Sequence, residues 1–326
     1  MLDGLYVMIG IIVLLWILPF TWGVAATFTG FFAVIAALLG IVIAGTEEIV
    51  HSNSKVPKSP MCFDEDTLIK LDNGEYKKIK HINVNDILHD GSKVTAVFKV
   101  SQNGMDMYNY KNVIVSESHN VLYENDWKLV SEIPCVERIK NYNKQYLYCL
   151  NTTSKKIIIN DIVFYDWDDI DENELIMLRK LIHKLFGLQL HYNNLHRYLE
   201  GGFTDKSTVE LEDGQTVSIK NLEVNDILSL GNVVKGVVKI STKDLDILKY
   251  KIGTNEIICS PNNIVNDQDL GIFSTMNIPS INLSPRNKPD YLYHVITNNG
   301  QICVDGIIFK DYNGCIEHFL EKTYEL

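Results

Sequence analysis

Cys62, Ser116 and His119 are the residues of this sequence whose types and spacing could do covalent chemistry. Cys62 directly precedes the first β-type run, and Ser116 and His119 follow at a spacing of i, i+3. A thiol is a nucleophile, and an imidazole can move protons. Each residue taken alone is more often structural, because free cysteines commonly lie in protein cores. Their combination, with the cysteine at the start of a predicted domain, indicates a site.

Short β-type runs follow Cys62 and would have to position these side chains. The runs TLIKL, KVTAVFKV, NVIVS and KIIINDIVF are rich in Val, Ile and Thr, and DNG and DGS turns punctuate them. Runs of this kind between turn residues are typical of strands. The sequence therefore predicts an all-β fold.

The β-rich region also repeats. LIKLDNGEYKKIKHINVNDIL at 68–88 recurs as TVELEDGQTVSIKNLEVNDIL at 208–228. YLYCLNTTSKKIIINDIVFYD at 146–166 recurs as YLYHVITNNGQICVDGIIFKD at 291–311. Two matches in the same order predict two tandem copies of one β module, the first over 62–168 and the second over 202–314.

The first copy resembles the Hint family, the autoprocessing domains of inteins and Hedgehog proteins. That family begins with Cys, often Cys-Phe, as at Cys62-Phe63 here. An INVNDIL stretch follows, and then VSESH at 115–119, which is similar to the V-T-x-x-H motif of the family. The copy closes on INDIVFYD at 159–166, where the family has V-N-G-[IL]-x-V-H-N. The resemblance spans about 62–168 and, more loosely, 202–313.

The resemblance implies a reaction at the Met61–Cys62 peptide bond. The Cys62 thiol would attack the carbonyl carbon of Met61 and turn the amide into a thioester. His119 would protonate the leaving amide nitrogen, and Ser116 would help to hold the peptide. General acid assistance of this kind contributes about 10²–10⁴-fold.

Two further residues of the first copy enter the candidate catalytic set through the resemblance. Cys149 stands where inteins often have Asp and sometimes Cys, which is compatible with an active centre. Asp166 stands at the end of the closing strand, where inteins have an Asn that cyclises. Because Asp166 cannot cyclise in this way and Trp167 follows it, protein splicing is not expected. Thioester formation remains, followed by hydrolysis or by transfer to a small outside nucleophile.

The second copy lacks the reactive residues. Aligned on the repeat, it carries Gly202, Cys259 and Asn262 in place of the cysteine, serine and histidine of the first copy. Phe203 keeps the phenylalanine that follows the nucleophile. The second copy is therefore predicted to be a degenerate module with a structural or binding role.

The region from 169 to 201 joins the two copies and is predicted to be a helical linker. Its apolar residues recur at helical spacing, which indicates a helix over 171–187 with one apolar face. The face is expected to pack on a module, and a protein partner bound through this helix or through the second copy is the alternative. The apolar face comprises Leu175, Leu178, Ile182, Leu185 and Phe186.

Residues 5–44 carry no charged side chain. About twenty apolar residues cross a bilayer once, so the run is long enough to cross twice. Pro19 and Gly23 indicate a turn between two helices. The sequence predicts a two-helix transmembrane hairpin over 1–46 that contacts membrane lipid, and thus an integral membrane protein.

The segment beyond the apolar run indicates the predicted orientation. A polar spacer over 47–61 contains Lys55 and Lys58, which favour a cytosolic location for the region that follows. A signal peptide fits less well, because its apolar region is short and its beginning is basic, whereas the early side-chain charge here is Asp3.

Charge and cysteine usage exclude several classes of function. The net charge is −11 and no basic patch stands out, so nucleic acid is not an expected partner. The six cysteines are scattered and form no C-x-x-C pair, which predicts reduced thiols and no metal or cofactor site. Cys315 and His318, in the C-terminal tail at 315–326, form half of a zinc set without a second pair.

Two functions follow from these features. The first is single-turnover, cysteine-dependent self-cleavage at Met61–Cys62. The second is a catalytically inactive, membrane-tethered module for binding or assembly, favoured by the absent terminal Asn and by the degenerate second copy. A cysteine hydrolase that acts on other proteins is the weakest alternative, because nothing in the sequence points to a substrate cleft.

Overall fold

The structure is a computed structural model, and it describes residues 61–186 and 196–323. This region is mostly β-structure with two α-helices, α1 (Glu172–Phe186) and α2 (Tyr312–Thr323). Residues Ser59–Leu326 belong to one compact unit. The domain boundaries that the repeat suggests, near 168 and 202, stay predictions.

The strands before α1 form the first half of this unit, residues 61–168. They are β1 (Phe63–Asp64), β2 (Leu68–Lys70), β3 (Tyr76–Lys78), β4 (Val94–Ser101), β5 (Met107–Tyr110), β6 (Val113–Ser116), β7 (Asn120–Tyr123), β8 (Asp126–Leu129), β9 (Glu137–Arg138), β10 (Tyr146–Thr152), β11 (Lys156–Ile159) and β12 (Ile162–Tyr165).

The strands after α1 form the second half, residues 202–314, and nearly the same succession of strand lengths returns. They are β13 (Thr208–Glu210), β14 (Thr216–Ser218), β15 (Val234–Ser241), β16 (Leu248–Ile252), β17 (Asn255–Cys259), β18 (Ile264–Asp267), β19 (Gly271–Ser274), β20 (Ser280–Asn282), β21 (Tyr291–Thr297), β22 (Gln301–Val304) and β23 (Ile307–Lys310).

One eight-stranded sheet runs through both halves, in the order β21-β15-β4-β10-β1-β6-β5-β9. Smaller sheets flank it, including β11-β12-β7-β8 in the first half and β19-β18-β23-β22 in the second. β1 is short but central, because it pairs with β10 on one side and with β6 on the other. This position brings the beginning of the first half between two strands that come much later in the chain.

The two halves meet where β4 pairs antiparallel with β15. Phe98 pairs with Val238, its own counterpart in the sequence repeat. Val100 pairs with Gly236, and Ala96 with Ile240, so the register is symmetric about the Phe98–Val238 pair. A local two-fold axis therefore passes through the ladder. Glycine is needed at 236, because an added Cβ would lie 2.7 Å from the Val100 Cγ1 atom.

Aromatic packing joins the halves on one face of this sheet. The Phe98 ring stacks on Trp167 at 4.5 Å between centroids and meets Tyr312 edge-on at 5.2 Å. The Trp167 indole N–H donates to Asn313 Oδ1 at 3.0 Å. Aromatic pairs add stability beyond their buried area, so residues from both halves share this part of the core.

The helix α1 begins at a capping box. The Glu174 backbone N–H donates to Asp171 Oδ1 at 2.8 Å, and Glu174 Oε2 accepts from the Asp171 backbone N–H at 3.1 Å. Leu175, Leu178 and Ile182 are buried, and α1 packs against α2. These apolar residues, at helical spacing in the sequence, are thus covered within the chain.

The described residues correct one part of the predicted fold. Across 61–186 and 196–323, neither helix is both long enough and apolar enough to pass through a bilayer. The longer one, α1, has 15 residues with acidic groups in its first turn and basic groups in its last, where a span needs about twenty apolar residues. The predictions of a transmembrane hairpin and of an integral-membrane localisation are therefore not supported by the described residues, and the apolar run 5–44 itself lies outside them.

Candidate active site

The beginning of the first half is fully enclosed. Cys62 is 0% exposed and Met61 is 4% exposed. The Cys62 backbone N–H donates to Ser116 Oγ at 3.0 Å, and the Ser116 N–H donates to the Cys62 carbonyl at 2.9 Å. Ser116 thus holds both backbone groups of Cys62. One of these groups is the nitrogen of the Met61–Cys62 peptide bond.

His119 lies in the turn after β6, among aromatic rings. Its ring centroid is 4.4 Å from that of Phe63 and 5.4 Å from that of Phe164. Burial lowers the pKa of His119 to about 4, although the backbones of Tyr165 and Cys62 act in the opposite direction. The imidazole is therefore neutral near pH 7.

The hydrogen bond of His119 fixes its tautomer. Nε2 lies 2.9 Å from the Tyr165 carbonyl oxygen, and a carbonyl can only accept, so Nε2 carries the proton. Nδ1 is buried and has no hydrogen-bond partner among the described residues. The Cys62 backbone is near enough to raise the pKa of His119, so the ring of His119, with no proton on Nδ1, lies next to the residue that begins the first half.

Cys149 is the second thiol at the site. Phe63 pairs with Tyr148, and the same antiparallel register places Cys62 opposite Cys149. Burial raises the pKa of the Cys62 thiol well above its usual range, and the nearby Cys149 adds to the rise. Burial likewise raises the pKa of Cys149. Both thiols are protonated near neutral pH, so nucleophilic attack requires a base.

Asp166 contacts the turn between β10 and β11. Its Oδ2 accepts from the Thr152 N–H at 3.0 Å and lies 3.0 Å from Lys155 Nζ. Burial raises the pKa of Asp166 to about 6, and Lys155 opposes the rise. In the second half, Asp311 accepts from the Thr297 N–H at 2.8 Å in the same way. The same carboxylate-to-backbone contact thus occurs in both halves. The Asp166 carboxylate also contributes to the raised pKa of Cys149.

The second half shows which residues truly correspond to Ser116 and His119. Ser260 Oγ accepts from the Gly202 N–H at 2.9 Å, and the Ser260 N–H donates to the Gly202 carbonyl. Asn263 stands in the place of His119. The Asn263 carbonyl accepts from the N–H of Thr275, the first residue of a 3-10 turn, and the His119 carbonyl accepts from the N–H of Val130, which begins the matching turn of the first half. The sequence alignment to Cys259 and Asn262 is therefore wrong by one residue.

The structure places Ser116, His119 and Cys149 close to Cys62, while Asp166 contacts Thr152 and Lys155. Sequence reasoning missed Tyr165, whose carbonyl fixes the tautomer of His119. A backbone carbonyl has no signature in the sequence. Within the described residues, no group of three or more His, Cys, Asp or Glu side chains is arranged to hold a metal ion.

Comparison with known proteins finds similarity among solved structures alone. No protein-family model matches the chain, and no curated protein matches it. The structure of the gp41-1 intein is 18% identical, with a TM-score of 0.28, and the match covers 34% of this chain and 99% of that one. A DnaB intein from Synechocystis sp. PCC 6803 is 16% identical, with a TM-score of 0.26, over 32% of this chain and 98% of that one. Both of these proteins are inteins.

Proposed function

We propose that this chain cleaves its own backbone between Met61 and Cys62 by way of a thioester. One observation carries the proposal. The Cys62 nitrogen is held by Ser116 Oγ at 3.0 Å, while the buried Nδ1 of His119 has no partner among the described residues. A positioned leaving nitrogen beside an unprotonated imidazole is the arrangement that acyl transfer to a neighbouring thiol requires.

The first step is proton removal from the nucleophile. Burial keeps the Cys62 thiol protonated, and the neutral His119 has a free lone pair on Nδ1. His119 takes the thiol proton, and the Cys62 sulfur attacks the Met61 carbonyl carbon. A tetrahedral intermediate forms with its negative charge on the Met61 oxygen.

The second step breaks the carbon–nitrogen bond. His119 is now an imidazolium in surroundings that lower its pKa to about 4, so it releases its proton readily. The proton passes from Nδ1 to the Cys62 nitrogen, and the bond to the Met61 carbon breaks. The products are a thioester between Met61 and the Cys62 sulfur and a free α-amine on Cys62. General acid catalysis of this kind contributes about 10²–10⁴-fold.

The thioester is resolved by water or by another small nucleophile. No asparagine stands at 166 to cyclise, so the chain is cut once, and the released fragment begins at Cys62.

The test uses the full chain with a C-terminal tag, incubated with hydroxylamine or dithiothreitol and followed by intact mass. We expect a tagged fragment that begins at residue 62 in the unsubstituted chain and in Cys135→Ala, a control at an exposed free cysteine. Cys62→Ala should stay intact. Cleavage of Cys62→Ala at the same bond, or an intact unsubstituted chain, contradicts the proposal.

A second candidate function is a catalytically inactive module for binding or assembly. The specific observation in its favour is the enclosure of the peptide bond: Cys62 and Met61 are nearly inaccessible, and the thiol pKa is raised well above its usual range. If the unsubstituted chain resists hydroxylamine, this function replaces self-cleavage.

A further inference from the structure

A cavity of about 230 Å³ lies on the local two-fold axis between the halves. Every residue that lines it from the first half has its counterpart lining it from the second. Lys99 and Lys239 form one such pair, and Tyr148 and Tyr293 form another. The cavity thus has two equivalent ends. Cys149 of the candidate active site also lines it, but no step of the proposed self-cleavage uses that thiol.

The sheet supplies the floor of this cavity. Lys99 is paired with Tyr148 on one side and with Val237 on the other. Lys239 is paired with Tyr293 and with Val97. Directly paired residues of an antiparallel sheet share a face, so each lysine stands beside a tyrosine and a valine. The centre of the floor is apolar, and its two cations are related by the axis.

The charged side chains of the lining are all lysines. Lys80 and Lys220 also line the cavity, and no Asp or Glu does. Those two lysines are partly neutralised from outside, since Lys80 lies 3.0 Å from Asp66 and Lys220 lies 3.2 Å from Asp205. The protein as a whole is acidic, with a net charge of −11. The cationic lining is therefore a local feature.

Lys99 and Lys239 are held in place without a counter-ion. Lys99 Nζ lies 4.0 Å from the centroid of the Tyr146 ring, and Lys239 Nζ lies 3.8 Å from that of Tyr291. In the part of the chain that the structure describes, neither ammonium group has a carboxylate within ion-pair distance. A cation over an aromatic face is positioned but keeps donors for a ligand.

We propose that this cavity binds a small dianion with an apolar middle and one anionic group at each end, of the α,ω-dicarboxylate type. The two-fold arrangement offers one unpaired ammonium group to each anionic end. The valines of the floor match a methylene chain between them. The volume of the cavity, about 230 Å³, is below the volume of about 300 Å³ at which small-molecule sites begin. The ligand is therefore expected to be short.

Calorimetric titration of the full chain tests the charge and shape of the ligand. Succinate, adipate and suberate are the probes, and hexanoate is the matched monoanion for adipate. We expect one dicarboxylate length to bind best and hexanoate to bind about tenfold more weakly or worse, because one charged hydrogen bond is lost. Equal binding of hexanoate or of inorganic sulfate, or no binding of any dicarboxylate, overturns the proposal.

Substitution at the two ends tests the symmetry. Lys99→Gln and Lys239→Gln should each weaken dicarboxylate binding by about tenfold, and the double variant should weaken it by about a hundredfold. Lys251→Gln, on an exposed part of β16 away from the cavity, should bind as the unsubstituted chain does. Thermal unfolding shows whether each variant is folded. A folded double variant with unchanged affinity overturns the proposal.

Discussion

Ser116 and Ser260 hold the beginnings of the two halves in the same way, although what they hold differs. Ser116 Oγ accepts from the Cys62 N–H at 3.0 Å, and Ser260 Oγ accepts from the Gly202 N–H at 2.9 Å. The second half keeps this bond without a thiol at 202. The serine therefore has a structural role that is separate from any reaction, because it supplies the acceptor for a buried backbone N–H.

The aromatic surroundings are also shared. Phe63 meets Phe164 edge-on at 5.1 Å, and Phe203 meets Phe309 at 4.9 Å and a similarly steep angle. The halves differ in the reactive groups, since the second half has no thiol at its beginning, has Asn263 in the place of His119 and has His294 in the place of Cys149. The comparison teaches that the scaffold does not depend on the reactive pair, so the pair can be varied without loss of the fold.

The largest expected effect comes from giving the first half the residue of the second at the histidine position. His119→Asn should slow cleavage by about 10²–10⁴-fold, because the base and acid are both removed. Intact mass after hydroxylamine treatment measures the rate. His89→Asn, at an exposed position, is the control and should cleave normally. Cleavage at the full rate in His119→Asn would show that His119 is not needed for the reaction and that its absence does not explain an inactive second half.

The reverse exchange should fail for a steric reason. A Cβ at residue 202 would lie 2.9 Å from the Tyr293 carbonyl oxygen and 3.1 Å from the Leu292 Cβ. Gly202→Cys should lower the free energy of unfolding by about 1–3 kcal/mol and should not produce cleavage there. Gly202→Ala should lower the free energy of unfolding by the same amount in a denaturant titration. Such a result would show that the Cβ, and not the thiol, causes the destabilisation. A fully stable Gly202→Cys chain would refute the steric account.

Both halves should lose stability in acid through one buried histidine each. Burial lowers the pKa of His119 to about 4 and that of His294 to about 3. The unfolded side chain, with a pKa near 6.5, binds a proton first as the pH falls. Stability is therefore fully present above about pH 6.5 and declines below it, by about 2 kcal/mol per histidine between pH 7.5 and 5.

Denaturant titrations at the two pH values check this expectation. His119→Asn and His294→Asn should each reduce the difference in unfolding free energy between the two pH values. If only one of the buried-site variants reduces it, the halves differ in their titration as well as in their chemistry.

The last pair of variants removes the matched serines. Ser116→Ala and Ser260→Ala each leave one buried N–H without its acceptor, at a cost of about 1–3 kcal/mol in the free energy of unfolding. Ser116→Ala should also slow cleavage, whereas Ser260→Ala should not. Equal cleavage rates in the two variants would show that Ser116 has a structural role alone.

The sequence allows the candidate site residues and most of the strands to be predicted. Cys62, Ser116 and His119 are candidates by type, order and spacing, and the structure places them close together. Their catalytic roles stay predictions.

The alignment slipped at Cys259 because the hairpin of β16 and β17 is longer than that of β5 and β6. Tyr108 pairs with Val115, whereas Leu248 pairs with Cys259, so the longer hairpin holds four more residues between the paired positions and the offset of the repeat rises there from 140 to 144. A change of offset inside a hairpin leaves no local signal.

The relation between the halves could not be predicted in the same way. The run KVTAVFKV predicts a strand, but periodicity does not say which strand lies beside it. The pairing of Phe98 with Val238 depends on contacts between distant parts of the chain, as does the burial that changes the pKa of His119. Both are products of packing and not of local pattern.

The ladder between β4 and β15 has a consequence for any shortened form of this protein. Each of these eight-residue strands would be an unprotected sheet edge if the other half were removed. Exposed edges of this length recruit other chains. Because Phe98 already lies opposite its own counterpart, an isolated first half could pair with a second copy of itself in the same register. Either half expressed alone should therefore be a symmetric dimer or an aggregate, and not a monomer.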